Sequence, residues 1–468
     1  MNATSNRRKA LKMRRIRDPQ TTLRFQSTRI KSREQWEKMG EILDENPEIA
    51  QVVHQDLCRH ADGLPKKNAG AKGMTADQVL RFAIVKFCEE LSYRKLADRV
   101  DDSIVLSEFC RIPFGQIPRF TTLQDNIKKL HPETLERIQN LLIDYACRQG
   151  IEQGERIRID STAVQSNIHH PTDARQLCDG VRVLTRILRR AETDIERLQG
   201  RFHDHTRVAK RLLYKINNAR GGNNRKPLYK RLIKTARKTA GYAREAIEEL
   251  AAARCRDFEE LLAAAELRGA LEHFAPLVER VIDQSVRRVL NGENVPAQDK
   301  VVSIFEPHSD IIVKGQREIV YGHKIFLTGG ASNLILDCAI ERGNPADSDA
   351  FAPALERHME RFGKAPHDVA TDGGFASKDN GKWAKAKGVA NVAFSALKGN
   401  TLAELVQSKR LYTMLRKWRA GIEGVISATK RAYGLTRCTW RSFDSFQAYV
   451  RLAVLAFNLK TLARYMLA

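Results

Sequence analysis

Three carboxylates in this chain, Asp160, Asp372 and Glu423, stand in settings that suit metal-dependent phosphoryl transfer. Asp160 closes the run RIRID, and Asp372 closes HDVATD and is followed by two glycines. A carboxylate at a strand end is held rigidly, and glycines beside it let a metal ion or a phosphate approach the backbone. Such carboxylates can hold two metal ions about 3.5–4 Å apart, which activate a water molecule and stabilise a leaving oxygen. These residues therefore indicate a site that cuts phosphodiester bonds.

The chain around these carboxylates is strongly basic. Its 468 residues carry 80 Lys and Arg against 56 Asp and Glu, which gives a formal net charge of +24. This excess favours a polyanionic partner, most simply DNA or RNA, and a basic soluble protein without such a partner is the alternative. An acidic site within a basic chain is the pattern of an enzyme that cuts nucleic acid.

Cysteine usage and hydropathy indicate the compartment. The eight cysteines form no CxxC pair, which argues against a zinc ribbon and indicates scattered reduced thiols. No apolar run reaches the ~18 residues of a membrane span, and the basic N-terminus lacks the apolar segment of a signal peptide. We therefore expect a cytoplasmic, nucleoid-associated protein with no membrane partner. The chain length predicts two to four domains.

The first third of the chain predicts helices and a basic arm. Residues 1–35 carry eleven Lys and Arg and two acidic residues, which is typical of a flexible basic arm. Residues 36–150 have helical apolar stripes, a capping box at Thr75 and Gln78, and a second short helix after Ser92. These features fit a helix-turn-helix-like DNA-binding domain, with a plain helical bundle as the alternative.

Residues 179–297 are predicted to form a large basic helical insertion. Val181–Glu245 holds nineteen Lys and Arg against five Asp and Glu, an excess that favours contact with phosphates. The stretch RGGNNRKP at 220–227 breaks the helical pattern and predicts an antiparallel pair of helices on either side.

The remaining elements predict an α+β fold. Strand patterns occur in RIRIDSTAVQS, KVVSIFE, REIVYGHKIFLTGG, NLILDCAIER, HDVATD and VANVAFS. A β-meander followed by βα units gives a mixed sheet, as in a ribonuclease-H-like catalytic core, here over 151–178 and 298–435. Asp160 would end the first strand and Asp372 the fourth, and Glu423 would lie on a long helix over 403–432. Residues 436–468 predict a C-terminal amphipathic helix that packs back on the core.

Basic residues flank the predicted acidic site. Arg419 lies four residues before Glu423 and Lys430 seven after it, so on one helix all three share a face. We expect Arg419 and Lys430 to hold phosphates of the DNA strand being cut, the alternative being ordinary ion pairs that neutralise Glu423.

Two histidine-containing motifs are further candidates for DNA contact. His323 and Lys324, within YGHK, lie on opposite faces of a strand pattern, and one or the other is predicted to face the substrate phosphate, with a structural histidine as an equal alternative for His323. The adjacent His169 and His170 cannot both point into one site from a strand, so DNA contact or a turn is favoured there over metal binding.

These motifs resemble the DDE transposases of bacterial insertion sequences, specifically the ISNCY type. The resemblance rests on DSTAVQSNIHHPTD, GVRVLTRILRRA, YGHK, ATDGGF and the helix around Glu423, and it covers most of the chain. Related transposases carry Tyr, two residues, Arg, three residues, Glu, six residues and Lys. This chain has Arg419, Glu423 and Lys430 at those spacings, but Arg416 stands at the Tyr position.

The resemblance implies a DNA transposase that binds terminal inverted repeats and catalyses metal-dependent strand cleavage and strand transfer. Asp160, Asp372 and Glu423 would be catalytic and would bind two Mg²⁺ or Mn²⁺ ions. The partners would be double-stranded DNA of the element ends and target, and a second subunit in a homodimer. The alternatives are a DNA-binding relative that has lost catalysis and a structure-specific ribonuclease-H-like nuclease, and inverted repeats flanking the gene would distinguish the latter.

Overall fold

A computed structural model describes residues 31–58, 73–113, 115–195, 198–252, 257–314 and 318–468. Most of the basic arm predicted at 1–35 lies outside the described residues. The described chain divides into two compact units. The first unit holds the residues up to Val164 together with those from Lys324 onward, and the second unit is Gln165–His323.

Helices fill the described part of the chain before the first strand, which confirms the helical prediction for 36–150. They are α1 (Lys31–Glu45), α2 (Pro47–Cys58), α3 (Ala76–Cys88), α4 (Tyr93–Asp101), α5 (Ile104–Phe109), α6 (Phe120–Ile127) and α7 (Pro132–Arg148). The predicted capping box is present, since the Thr75 side chain accepts from Gln78 N–H and the Gln78 side chain from Thr75 N–H. Ser92 caps α4 by accepting from Lys95 N–H. Whether these helices read DNA stays a prediction.

The second unit is built around four helices that share a buried apolar core. They are α8 (Asp173–Asp194), α9 (Thr206–Asn218), α10 (Gly222–Ala251) and α11 (Phe258–Ser285). The break predicted over 220–227 is shorter than expected, because α10 already begins at Gly222 and includes Pro227. The turn is made at Gly221, whose φ of +78° is a conformation that favours glycine.

The prediction of a strand at KVVSIFE (300–306) is wrong. Its buried apolar residues pack into the helical core of the second unit instead. Two backbone N–H groups that a strand would pair with a neighbour are satisfied by side chains: Val301 donates to Gln284 Oε1 at 2.8 Å and Ile304 donates to Gln176 Oε1 at 3.3 Å. Buried backbone groups need partners, and here glutamines supply them.

The strands form the predicted mixed sheet. They are β1 (Arg156–Gln165), β2 (Asp310–Lys314), β3 (Glu318–Gly329), β4 (Ile335–Glu341), β5 (Asp368–Thr371) and β6 (Asn391–Phe394). In the first unit the order is β4-β3-β1-β5-β6, and β2 pairs with the part of β3 that belongs to the second unit. β1–β5 and β5–β6 are parallel pairs, whereas β3–β4 is antiparallel.

Further helices pack with this sheet in the first unit. They are α12 (Asp347–Phe362), α13 (Lys378–Ala386), α14 (Leu402–Leu405), α15 (Lys409–Arg419), α16 (Gly421–Ala432) and α17 (Phe443–Leu467). The single helix predicted over 403–432 is therefore wrong, because the chain breaks twice and forms α14, α15 and α16.

The C-terminal helix α17 packs on the core, as predicted, but it is not amphipathic. Fourteen of its residues are buried, and it contacts α1, α3, α7 and β4. A helix that is surrounded by partners has no solvent face to keep polar. None of the described helices is long and apolar enough to span a membrane.

Candidate active site

Asp160 and Asp372 occupy equivalent positions with respect to two neighbouring parallel strands. The pairing of β1 with β5 places Ile159 opposite Thr371; Asp160 is the next residue within β1, and Asp372 is the residue directly after β5. Paired strands lie about 4.8 Å apart, so the register brings these two carboxyl groups together. Asp160 is the fifth of ten residues in β1, so the prediction that it ends the strand is wrong. Thr162 and Val164 follow it, and such β-branched residues favour continued extension.

Glu423 lies in the first turn of α16 and is linked to Asp160 through Arg419. The Nη2 atom of Arg419 is 2.8 Å from Glu423 Oε1, and its Nη1 atom is 3.5 Å from Asp160 Oδ2. Asp372 and Glu423 are both close enough to Asp160 to act on its titration. The structure therefore brings together all three carboxylates that the sequence singled out.

The electrostatics of Asp160 are those of a carboxyl group in an acidic, partly dry site. Burial is the main cause that raises the pKa of Asp160 to about 6, and the charges of Asp372 and Glu423 contribute in the same direction. The Ser161 N–H, which donates to Asp160 Oδ1 at 2.8 Å, and the Arg419 guanidinium oppose this rise. The cost of desolvating the Asp160 charge exceeds the stabilisation from Ser161 and Arg419. A positive charge placed among these carboxylates would therefore be strongly favoured.

The break between α15 and α16 is built around Arg158, which lies on the same face of β1 as Asp160. Arg158 Nη1 donates to the Trp418 carbonyl at 2.9 Å, and its guanidinium lies 4.8 Å from the centroid of the Trp418 ring. A Cβ at Gly421 would overlap Arg158 Nη1 and lie 3.0 Å from its Cζ. The arginine thus bonds the last turn of α15 and fills the space beside the first residue of α16.

Arg158 is buried, with 2% of its surface exposed, and burial lowers its pKa. Its Nη2 also donates to the Asn333 side chain, while its Nε has no hydrogen-bond partner among the described residues. Sequence reasoning missed this residue. The available signal was an arginine two positions before an aspartate within a strand pattern, which places both side chains on one face.

The helix break corrects the predicted arrangement of the basic residues. Arg419 ends α15, so it does not share one continuous helix with Glu423 and Lys430, which both lie on α16. Arg419 nevertheless forms the ion pair with Glu423 that was the alternative expectation. Arg416, at the Tyr position of the family pattern, is exposed, with its guanidinium 5.6 Å from the Tyr412 ring centroid.

The prediction that His323 contacts DNA is not supported, because this side chain is fully buried. Its Nε2 is 2.7 Å from His308 Nδ1, and its Nδ1 is 3.0 Å from Asp310 Oδ2. His308 Nε2 in turn lies 2.8 Å from Glu306 Oε2. The two histidines thus join two carboxylates in a buried chain of hydrogen bonds, which is the structural role considered as the alternative.

Lys324 is likewise occupied within the protein. Its ammonium lies 2.9 Å from Asp347 Oδ1 and donates to the Pro345 carbonyl at 2.9 Å, so the expected contact with DNA phosphate is not supported. The same Asp347 takes up the space beside the predicted glycine pair, since a Cβ at Gly374 would lie 2.6 Å from Asp347 Oδ2.

The adjacent histidines diverge. His169 Nε2 lies 3.2 Å from Asp179 Oδ2, whereas the His170 ring packs edge-on against Tyr321. Neither shares a site with the other, as the sequence predicted for neighbours in an extended segment.

Comparison with known families identifies this arrangement. A model described as Transposase DDE domain matches residues 314–459, and one described as Transposase domain (DUF772) matches residues 25–129. The DDE domain confirms the ribonuclease-H-like fold and supports a nucleic-acid-cleaving or transposition enzyme. Together the two matches are typical of insertion-sequence transposases, in agreement with the DDE transposase resemblance of the sequence, and the ISNCY type stays a prediction.

Asp372 and Glu423 lie within the matched DDE region, and Asp160 precedes it. No curated protein and no solved structure matches the chain significantly. The assignment of Asp160 therefore rests on the strand register and on its electrostatic coupling to the other two carboxylates.

DDE transposases generally use divalent metal ions. Within the part of the chain that the structure describes, no group of three His, Cys, Asp or Glu side chains is arranged to hold one. The donor chemistry nevertheless fits, because carboxylate oxygens suit Mg²⁺ or Mn²⁺, and Asp372 and Glu423 lie close enough to Asp160 for their charges to act on its pKa. In this structure the guanidinium of Arg419 supplies the positive charge between Asp160 and Glu423.

Proposed function

We propose that this protein is a DNA transposase that cuts DNA at the ends of its element and joins the freed 3′-OH to target DNA. The observation that carries the proposal is the placement of Asp160 and Asp372 side by side, with Glu423 close enough to act on Asp160. The matched transposase domains support DNA as the partner. Terminal inverted repeats are the proposed recognition sites, and a homodimer would bring two element ends together.

Each side chain of the site has a proposed role. Asp160 and Asp372 would hold divalent cations jointly, and Glu423 would complete the ligands of one. Bound Mg²⁺ or Mn²⁺ would supply Lewis acidity toward the phosphate and activate the attacking water. Arg419 pairs with Asp160 and Glu423, and it would hold a phosphate of the cut strand once those carboxylates bind a cation. Lys430, on the same helix as Glu423, would hold a second phosphate.

The reaction is tested by incubating the protein with labelled duplex DNA that carries the candidate element ends, in Mg²⁺, Mn²⁺ or EDTA. We expect metal-dependent nicking at the repeat boundary that leaves a 3′-OH, and joined products when target DNA is added. Cutting that ignores the repeat and yields no joined product would identify a structure-specific nuclease instead. Tight binding without cutting in either metal would identify a catalytically silent relative.

A surface of the second unit supports DNA binding outside the active site. Between Asp204 and Glu245 the chain contains no acidic residue, and the twelve Lys and Arg from Arg207 to Lys238 are all exposed. We call this α9–α10 surface the acid-free surface. Two arginines near this surface form ion pairs instead: Arg190 pairs with Glu266 and Arg201 pairs with Glu249, each at 2.7 Å. Unpaired cations release counterions from DNA, whereas paired ones have already been neutralised.

Alanine substitutions on the acid-free surface should therefore weaken DNA binding and flatten its dependence on salt. A triple variant at Lys210, Lys215 and Lys230 should reduce the slope of log affinity against log salt by about 2–3, since each phosphate contact contributes about 0.9. Fluorescence anisotropy measures the affinity for labelled duplex DNA at salt concentrations from about 50 to about 300 mM. The control is a triple alanine variant at the paired arginines Arg190, Arg201 and Arg268. Equal slopes for the two variants would exclude the acid-free surface as a DNA contact.

A further inference from the structure

The first unit contains a cavity of about 590 Å³ whose walls come from two distant parts of the chain. Residues of α3, α4 and α6, within the matched DUF772 region, line one side. Residues of α16, of the loop after it and of α17 line the other side. The cavity thus lies where the N-terminal helices meet the helix that carries Glu423.

Lys86 is the most unusual residue of this cavity, because it is a buried cation with no anionic partner among the described residues. Only 7% of its surface is exposed, and it forms no ion pair with any described residue. Its ammonium instead faces aromatic rings, at 4.9 Å from the centroid of Phe87, 5.1 Å from Tyr93 and 5.9 Å from Tyr449. Burial lowers the pKa of Lys86 to about 8. Lysines are rarely buried without a partner, since desolvating the charge is costly.

Two further polar groups in the cavity wall are incompletely satisfied. The Trp440 indole N–H contacts the Tyr93 hydroxyl, but neither Trp440 Nε1 nor this hydroxyl forms a well-aligned hydrogen bond with a described residue. Trp440 is 2% exposed, so its N–H is withheld from bulk solvent. Buried donors are normally satisfied, and those that are not call for a missing acceptor.

The charge of the cavity wall is also one-sided. Lys128, Lys430 and Arg437 line it together with Lys86. The opposing carboxylate in the lining is Glu90, whose Oε1 accepts from the Gly434 N–H at 2.7 Å. Four cationic groups against one carboxylate, with unsatisfied donors between them, make a site that is complementary to an anion rich in acceptor oxygens.

We infer that this cavity binds a phosphate group, supplied by a DNA phosphodiester, with Lys86 as its central ligand. A phosphate offers acceptors to the Lys86 ammonium, the Tyr93 hydroxyl and the Trp440 N–H at once. The cavity is larger than one phosphate, so an attached sugar can enter with it. This inference deepens the proposed function and rests on it, because DNA is the polymer that the protein is proposed to cut.

The position of the cavity places this phosphate near the cleavage site. Glu423 and Lys430 are seven residues apart on α16, which is about 10 Å along the helix axis. A strand whose scissile phosphate lies at Glu423 can therefore place a neighbouring phosphate against Lys430 and Lys86. The N-terminal helices would in this way fix the register of the strand in the active site.

The test compares Lys86→Met, which keeps the bulk and removes the charge, with Lys86→Arg, which keeps the charge. Lys387→Met is the matched control, because Lys387 is an exposed lysine whose ammonium lies 5.5 Å from the Trp383 ring centroid. The first probe is a fluorescein-labelled duplex carrying the element end, measured by anisotropy. The second probe is inorganic phosphate, measured by the shift it produces in Tm.

Lys86→Met should have a higher Tm than the wild type without ligand, because it removes an unpaired buried charge. It should bind the duplex about tenfold or more weakly, since a charge-assisted hydrogen bond is lost, and phosphate should no longer raise its Tm. Lys86→Arg should retain part of the affinity, and Lys387→Met all of it. A folded Lys86→Met that binds both probes like the wild type would overturn the inference.

The two probes distinguish a DNA phosphate from a free phosphate compound as the ligand. They also distinguish failure of this inference from failure of the proposed function. If Lys86→Met loses the phosphate effect but binds DNA like the wild type, the site takes a free phosphate compound and the DNA assignment is wrong. If the wild type binds no DNA, the proposed function fails, while the phosphate shift and its loss in Lys86→Met still decide whether the cavity is an anion site.

Discussion

Replacing Asp160 by Asn should abolish DNA cleavage and at the same time stabilise the metal-free protein. Cleavage should fall by about 10³-fold or more, since losing a metal-binding carboxylate removes several kcal/mol of transition-state stabilisation. The gain in stability follows from the pKa of Asp160, which is about 6 in the folded protein against 3.8 ordinarily. The folded state therefore holds the proton more tightly than the unfolded state does.

Because the pKa of Asp160 is raised in the folded protein, the stability of the wild type should fall as the pH rises. Below pH 3.8 Asp160 is protonated in both states, and its neutral form is tolerated in the buried site. As pH rises through 6 the folded protein must bear the buried charge, so stability is lost, by up to about 3 kcal/mol at 1.36 kcal/mol per unit. Asn carries no such charge. Asp160→Asn should therefore be more stable than the wild type above pH 6, and the difference should vanish towards pH 4.

Chemical denaturation in EDTA at pH 4.5 and pH 7.5 measures this difference, and the cleavage assay measures the loss of activity. Asp372→Asn is the control, because Asp372 is exposed and its charge carries less of a burial cost. It should lose cleavage equally, with little change in stability and with DNA binding intact in both variants. Cleavage retained by either variant would refute the active site, and a destabilised Asp160→Asn would refute the electrostatic argument.

The sequence could predict that Asp160 and Asp372 lie near each other, because their positions follow from strand order and register. Asp160 and Asp372 each follow a short apolar strand pattern, and parallel strands bring equivalent positions together. A helix could also be predicted where its capping residues and its apolar periodicity agreed, as for α3 with the capping box at Thr75. Local patterns of this kind depend on residues within a few positions of one another.

The features that sequence reasoning missed depend on contacts between distant segments. The break before Gly421 follows from the Arg158 side chain, which comes from β1 and has no local signature in the helix. KVVSIFE has a strand pattern, but the side chains of Gln176 and Gln284 capture its backbone N–H groups. His323 lies in a strand as predicted, yet only the packed structure shows that it faces His308 rather than solvent. Tertiary partners override local propensity in all three cases.

Gly421→Ala should reduce cleavage by about 100-fold, because a misplacement of about 1 Å at the reacting groups is enough to cost that much. A Cβ at this position would overlap Arg158 Nη1, which bonds the Trp418 carbonyl and holds the junction of α15 and α16. Either the arginine must leave that carbonyl or α16 must move, and Glu423 moves with it. Arg158 is thus a positioning residue that links the strand of Asp160 to the helix of Glu423.

The effect of Gly421→Ala on stability also distinguishes a continuous helix from a helix that breaks before Gly421, because the two arrangements predict changes of opposite sign. In one continuous helix, replacing Gly by Ala would stabilise the protein by about 1 kcal/mol, whereas the observed break predicts destabilisation. Gly424→Ala is the control, since Gly424 lies on the same helix and a Cβ added there would meet no atom within 4 Å, so this variant should be neutral or slightly stabilising with full cleavage. Coupling to Arg158 is measured by a double-mutant cycle with Arg158→Lys, whose slimmer ammonium should relieve the overlap and recover part of the activity. If Gly421→Ala is instead stabilised and fully active, the break does not position Glu423.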